Sequence, residues 1–322
     1  MRYRGRFHQT NVILISFLKD TLLFIVDQLS DLQAAVEAEG LGAFWPRLAP
    51  HCRPSIRVLP QAAPAVPLPV GASHLGGLPD LPTQAEWPTW EGRPLSFLAQ
   101  LNLTELAAYP AAAALPAAGW LSFFYDAQEQ PWGYDPANQG RAVVRYHADT
   151  VALAPRQLPE GLSTDAYTAF PVAPLIFAAE MTLPDPWEDD LDIAEEELTE
   201  EQRTAIWRLL HRHGDGTSRL FGTPDTIQGP VRQQCALVSR GISTGSAQAM
   251  QQTREALGFS EAQVETWQQQ AAADWELLLQ LDSHQDEANM MWEDMGRLYF
   301  CIPRAALAQR DFGAVWTVLQ CF

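Results

Sequence analysis

Lysine is almost absent from this chain. Lys19 is the only one, so the other 20 basic residues are arginine. A phosphate-cradling lysine or a Schiff-base lysine would have to be Lys19, whose apolar N-terminal setting suits neither role. Positive charge is scarce overall: 21 Lys and Arg stand against 39 Asp and Glu, a net charge of −18. Binding nucleic acid needs a basic face to neutralise phosphates, so no nucleic-acid partner is expected. Anionic lipid is disfavoured for the same reason. Cysteine is limited to Cys52, Cys235, Cys301 and Cys321, none in a C-x-x-C pair. They read as reduced thiols of a cytoplasmic protein. There is no G-x-S-x-G and no G-x-G-x-x-G after a strand, so no nucleophile elbow or dinucleotide loop is expected. No cofactor is implied. The apolar run Val12 to Leu18, preceded by Arg2, Arg4 and Arg6, is broken by Lys19 and Asp20. It falls short of the ~20 residues a membrane span needs and reads as a first helix rather than a signal peptide.

The composition does allow a large core. Hydrophobic residues make up 47% of 322 and charged residues 19%, which argues against global disorder. Leu22, Leu23, Val26, Leu29, Leu32 and Val36 recur at helical spacing before Gly40, so residues 1–50 read as a helical extension. Residues 54–71 are proline-rich and extended, with a short strand from Ser55 to Leu59. Leu95–Leu103, Trp120–Tyr125, Ala142–His147, 275–282 and 297–302 read as strands. Residues 246–273 read as helix, and Leu307 to Phe322 shows helical spacing. Ten carboxylates and no base lie between Asp185 and Glu201. Their spacing fits no calcium loop, so they read as a solvated loop leading into a helix capped by Thr199 and Gln202.

Three short patterns occur twice and in the same order. Ser73-His-Leu-Gly-Gly-Leu-Pro-Asp80 matches Ser218-Arg-Leu-Phe-Gly-Thr-Pro-Asp225. Leu98-Ala-Gln-Leu-Asn102 matches Leu278-Leu-Gln-Leu-Asp282, and Gly119-Trp-Leu-Ser-Phe123 matches Gly296-Arg-Leu-Tyr-Phe300. The first is turn chemistry, and the others alternate like strands. The expected fold is α+β and rich in antiparallel sheet, an internal duplication of a β module with peripheral helices. The two halves would span roughly residues 73–150 and 218–302 of a domain covering 51–322.

These blocks, together with Pro131-Trp-Gly133 and Met291-Trp-Glu-Asp-Met-Gly-Arg-Leu-Tyr-Phe300, resemble the bacterial family typified by YwqG, a domain of unknown function. The resemblance runs over roughly residues 50–322. It implies an α+β fold rich in antiparallel sheet and no established catalytic residues. The chain departs from the family at His74-Leu75, where a basic–aromatic pair is usual, and at Glu293, where glycine is usual.

No catalytic set emerges. His211 and His213 are two apart on a helix and do not face each other, so they read as helix-end residues rather than metal ligands. Asp282 to Glu287 reads as a solvated hairpin loop. Trp132 and Trp292 stand beside turn residues and carboxylates, Asp135 and Asp294. They suggest either an aromatic lip to a groove or loops folded over the core. Two functional readings follow. In the first, an acidic, non-catalytic interaction module binds a basic protein in the manner of an immunity protein. In the second, a small ligand or substrate sits in a cleft between the halves, held by Gln100, Asn102, Trp132, Gln280, Asp282, Trp292, Asp294 and Arg297.

Overall fold

A computed structural model describes residues 26–165, 167–185, 189, 191, 193, 195–211 and 217–322. The apolar run before Lys19, His213, Gly214 and much of the acidic run lie outside the described residues. The chain combines helices with one antiparallel sheet of ten strands that is nearly closed into a barrel. The strands are β1 (Arg53–Pro60), β2 (His74–Leu75), β3 (Ser96–Asn102), β4 (Trp120–Tyr125), β5 (Ala142–His147), β6 (Ala173–Thr182), β7 (Ser218–Phe221), β8 (Trp275–Asp282), β9 (Arg297–Pro303) and β10 (Trp316–Gln320). Their order across the sheet is β10-β9-β8-β7-β1-β6-β2-β3-β4-β5.

The centre of this order is the long pairing of β1 with β6, from Arg53 opposite Thr182 to Pro60 opposite Leu175. Each of these two strands borders the distant part of the chain: β1 pairs with β7 and β6 with β2. Outward from the centre, both sides follow the same plan of one short strand, two longer ones and an edge. The registers agree in detail. In β3–β4, Gln100 faces Ser122 and Asn102 faces Trp120, and the ladder shifts at Leu98. In β8–β9, Gln280 faces Tyr299 and Asp282 faces Arg297, and the ladder shifts at Leu278.

Side-chain alternation places one set of residues inside the curve of the sheet: Ile56, Leu121, Phe123, Leu281, Leu298, Phe300 and Leu319 belong to one buried cluster. Phe123 and Phe300, from matching positions of the two sides, meet edge to face at 5.2 Å. The outer faces of β8–β10 are also buried, beneath helices α1 (Val231–Val238) and α2 (Glu261–Asp274). The helical spacing of Leu307 to Phe322 is therefore misleading. Trp316 and Val318 face the helices while Leu319 faces the core. A strand buried on both faces loses the polar–apolar alternation that marks it. Helix α3 (Leu29–Ala38) packs Leu32 and Val36 against Ile206 and Leu209 of α4 (Glu200–Leu210), forming a separate cluster. All four cysteines are free. Among the described residues, no helix is long and apolar enough to cross a membrane.

At the end of β2, Gly76 and Gly77 both take positive φ, 55° and 67°. The matching residues at the end of β7, Phe221 and Gly222, do the same at 60° and 77°. A Cβ on Gly76 would fall 2.2 Å from the carbonyl oxygen of Pro171. Gly92 also has positive φ but open space around it. Gly76→Ala should therefore cost more than the ~1–2 kcal/mol of left-handed backbone strain alone, and Gly92→Ala about that amount or less, as measured by urea unfolding.

Candidate functional site

The paired sequence blocks build two similar hydrogen-bond knots. In the first, Gln100 Oε1 accepts from the Asp80 N–H at 2.9 Å and its Nε2 donates to Ala72 O at 3.1 Å. Ser73 Oγ accepts from the Asn102 N–H at 2.8 Å. In the second, Gln280 Oε1 accepts from the Asp225 N–H at 2.9 Å and its Nε2 donates to Thr217 O at 2.7 Å. Ser218 Oγ accepts from the Asp282 N–H at 2.9 Å. Both glutamines are wholly buried. Each supplies one acceptor and one donor to main-chain groups of the turn beside it, which would otherwise be left unpaired in the interior.

The knots differ in charge. In the first, His74 is buried and its Nδ1 lies 2.8 Å from Gly76 O. Burial pushes its pKa down. In the second, the matching residue is Arg219, whose Nε lies 3.2 Å from Glu180 Oε2. Glu180 also accepts from Ser55 Oγ at 2.8 Å, and Arg57 Nη1 lies 3.5 Å from its other oxygen. Asp282 Oδ2 accepts from Arg297 Nε at 2.7 Å and from the Thr217 N–H at 2.9 Å. Arg297 reaches on to Asp225 Oδ2 at 2.8 Å, and His211 Nδ1 lies 3.1 Å from Asp225 Oδ1. Nearby, Asp189 is buried against Arg232 at 2.8 Å, with Arg53 at 3.7 Å. The solvated-loop reading of the acidic run therefore fails at Asp185 and Asp189, both buried. It fails too at Asp282, Ser283 and His284, where His284 Nε2 lies 2.7 Å from Ser218 Oγ.

Burial alone would raise Asp225, but its bond to His211 and the charges of Arg297 and Arg219 hold it below the usual carboxylate range. Asp282 is displaced the other way: burial raises it against the opposing pull of Arg297. Burial likewise raises Glu276 against Arg304. The cavity among Glu180, Thr182, Asp185, Arg219, Thr223 and Asp225 measures about 20 Å³, room for a single water. Among the described residues, no group of three or more His, Cys, Asp or Glu is placed to hold a metal.

A family model described as Domain of unknown function (DUF1963) matches residues 73–321. The chain belongs to that family. No curated protein matches it. The DUF1963 match begins after β1, although β1 lies at the centre of the sheet.

The eight sequence candidates fall into separate places in this DUF1963 chain. Gln280, Asp282, Arg297 and Trp292 gather in the second knot, where the Trp292 indole N–H donates to Asp282 O at 3.2 Å. Trp292 is also packed edge-on against Tyr125 and Phe170. Gln100 and Asn102 belong to the first knot, on a strand separated from β8 by four others in the sheet, and Asn102 Oδ1 caps a short helix by accepting from the Thr104 N–H. Asp294 is exposed. Trp132, 37% exposed, lies on the free edge of β10 with its carbonyl accepting from the Leu319 N–H.

Sequence reasoning passed over Arg57 and Glu180, and read Arg219 and Asp225 only as parts of a repeated turn pattern. The usable signal was a lone charge inside an apolar strand, as at Arg57 in Ser55–Leu59 and Glu180 in Ala173–Thr182. It also passed over a groove of about 700 Å³ between the outermost strands, lined in part by Ala142–Arg145, Phe312–Thr317 and the loop from Pro131 to Arg141.

Folding favours ionised Asp225. Its contribution is present above its unfolded pKa and is lost as pH falls through the lower folded value. Asp282 and Glu276 have the opposite sign, contributing most below their unfolded values and losing that as pH rises through the raised ones. Asp225→Asn should cost roughly 3 kcal/mol at pH 7 by leaving Arg297 short of a buried partner. The gap to the native protein should narrow below about pH 4, as read from urea unfolding at several pH values.

Proposed function

We propose that this protein is a non-catalytic, cytoplasmic protein-interaction module of YwqG-like type. Supporting the reading, its buried ionic side chains are committed to one another and to main-chain groups around a cavity of about 20 Å³. The groove of about 700 Å³ lies instead between two strand edges. A protein that spends its charges internally and keeps an open sheet edge is suited to docking a chain rather than transforming a small molecule. The net charge of −18 gives it a long-range preference for a partner that is basic overall, with charge setting encounter rate more than affinity.

The two halves are, on this reading, copies of one module that exchanged their first strands, β1 and β6. The matched knots, matched ladder shifts and paired positive-φ residues support it. Residues 1–50 form an extension to a domain of residues 51–322. Gln100, Gln280, Asp282, Arg297 and Trp292 then serve the fold, and Trp132 and Asp294 border its surface.

Two measurements test this. Gln100→Ala and Gln280→Ala should each cost about 1–3 kcal/mol, because each strands a buried N–H and a buried carbonyl. Retained stability with loss of a bound metabolite would revive the ligand cleft. Cross-linking inside the native cell should trap one stoichiometric, net-basic protein, released from the purified complex as salt rises through a few tenths molar. Turnover of a small substrate by the purified chain would overturn the module reading.

A further inference from the structure

The register of the outermost strands decides what the groove offers. The Asp126 N–H donates to Arg141 O at 2.8 Å, so the β4–β5 ladder bonds through Arg141 and every second residue after it. Ala142, Val144 and Tyr146 therefore turn their main-chain N–H and C=O groups away from the sheet. On the other edge, the Leu319 N–H donates outward to Trp132 O at 3.0 Å, which makes Val315 and Thr317 outward-facing as well. The chain already uses one of these edges. Pro131–Gly133 runs against β10 so closely that a Cβ on Gly133 would fall 2.0 Å from Thr317 O. The Trp316 indole N–H also donates to Gly133 O at 2.8 Å.

Beyond that contact the turn Phe312–Ala314 lies against β5, with the Phe312 ring 5.7 Å from that of Tyr146, and the groove runs alongside Ala142–Arg145. Its walls include Val144, Val238, Trp275, Phe312, Val315 and Trp316. Among the described residues, its charged lining is Arg141 and Arg145, with no carboxylate, in a chain whose net charge is −18. Arg141 is paired with Asp126 at 2.6 Å. Arg145 is exposed and has no ion pair among the described residues.

We propose that an extended segment of a partner protein seats in this groove as an added strand on the β5 edge, and that the segment is locally acidic even where the partner as a whole is basic. The proposal rests on the interaction-module reading. Main-chain bonds to Ala142 and Val144, the outward-facing residues that line the groove, would hold the segment. Its side chains would alternate, apolar ones packing on half-buried Ala142 and Val315 on the core side and carboxylates meeting Arg145 on the outer side.

The test uses the full chain and a displayed library of random peptides of about eight residues, long enough to follow β5. Enriched peptides should alternate apolar and acidic positions. A synthesised winner should slow hydrogen exchange at the Val144 amide and shift the signals of residues 142–146. Arg145→Glu should weaken it by about tenfold or more, and reselection on that variant should turn the preference basic. Arg145 is exposed, so the variant should fold as the native chain does. Failure to enrich, enrichment of basic peptides on the native chain, or binding indifferent to Arg145 overturns the docking mode. If the cell cross-linking still traps a partner, the module reading survives that failure. If it traps none and a metabolite is turned over, both fall.

Discussion

Every main-chain polar group taken out of water in this sheet must find a partner, and at both of the matched turns the partner is a glutamine. The turns entering at Asp80 and Asp225 lie against strands whose ladders cannot reach them, so Gln100 and Gln280 span the gap with one acceptor and one donor each. A primary amide carries a carbonyl acceptor and an N–H donor on separate atoms of one planar tip, so it can meet a main-chain N–H and a main-chain carbonyl side by side. Aspartate or glutamate would present only acceptors and leave the carbonyls of Ala72 and Thr217 facing negative charge. The cost of an unmet buried group, ~1–3 kcal/mol, is large beside the net stability of a domain, which makes the amides a condition of the fold.

With the turns held in this way, the two knots differ in electrostatics. The first knot is closed by a neutral histidine and by Trp120, whose indole N–H donates to Gly71 O. The second carries Arg219 and Arg297 at the matching positions and must bury Glu180, Asp225 and Asp282 to balance them. A buried ion cluster is weak support for stability, because desolvation offsets much of the attraction. It is a strong constraint on geometry, since removing any one member strands another in the interior. The opposing displacements of Asp225 and Asp282 follow from that arrangement: Asp225 has several cationic neighbours, whereas Asp282 shares one guanidinium and pays more for burial than it recovers.

How much of this was legible in the sequence depended on what each residue faces. Trp120–Tyr125 and Ala142–His147 were readable because strand residues beside turns keep their flanking signals. The stretch 246–273 was readable as helix, and it holds Ala247–Ala256 and Glu261–Asp274, the second opened by a capping box of Ser260 with Gln263. Trp316–Gln320 was misread because both its faces are buried. The central strand Ala173–Thr182 went unrecognised beside the acidic run that follows it. The Q-L-[ND] patterns pointed correctly to paired polar positions on strands, but pattern alone carries no information about direction. Whether a side chain meets a ligand or its own backbone is decided by the turn folded over it, here Asp80 and Asp225. Arg57 was missed because its partner Glu180 lies more than a hundred residues away along the chain.

The nearly closed sheet still has two edges to manage, and exposed edges invite pairing with other chains. One edge is clasped by the chain itself. The Pro131–Gly133 segment is tied from β4 through the Tyr125 hydroxyl, which donates to Pro131 O at 2.8 Å. It is tied from β10 through Leu319 and the Trp316 indole. Bonds to main-chain atoms predominate in that clasp, so its attraction is largely indifferent to side-chain identity apart from Gly133, where nothing larger fits. The same holds for any strand added at β5: the backbone would supply attraction to many sequences alike. Discrimination must then come from what stands beside the edge, and there the chain sets an apolar wall on one side and Arg145 on the other. In a protein with so large an excess of carboxylates, an unpaired guanidinium beside an open strand edge is the element able to select among extended segments.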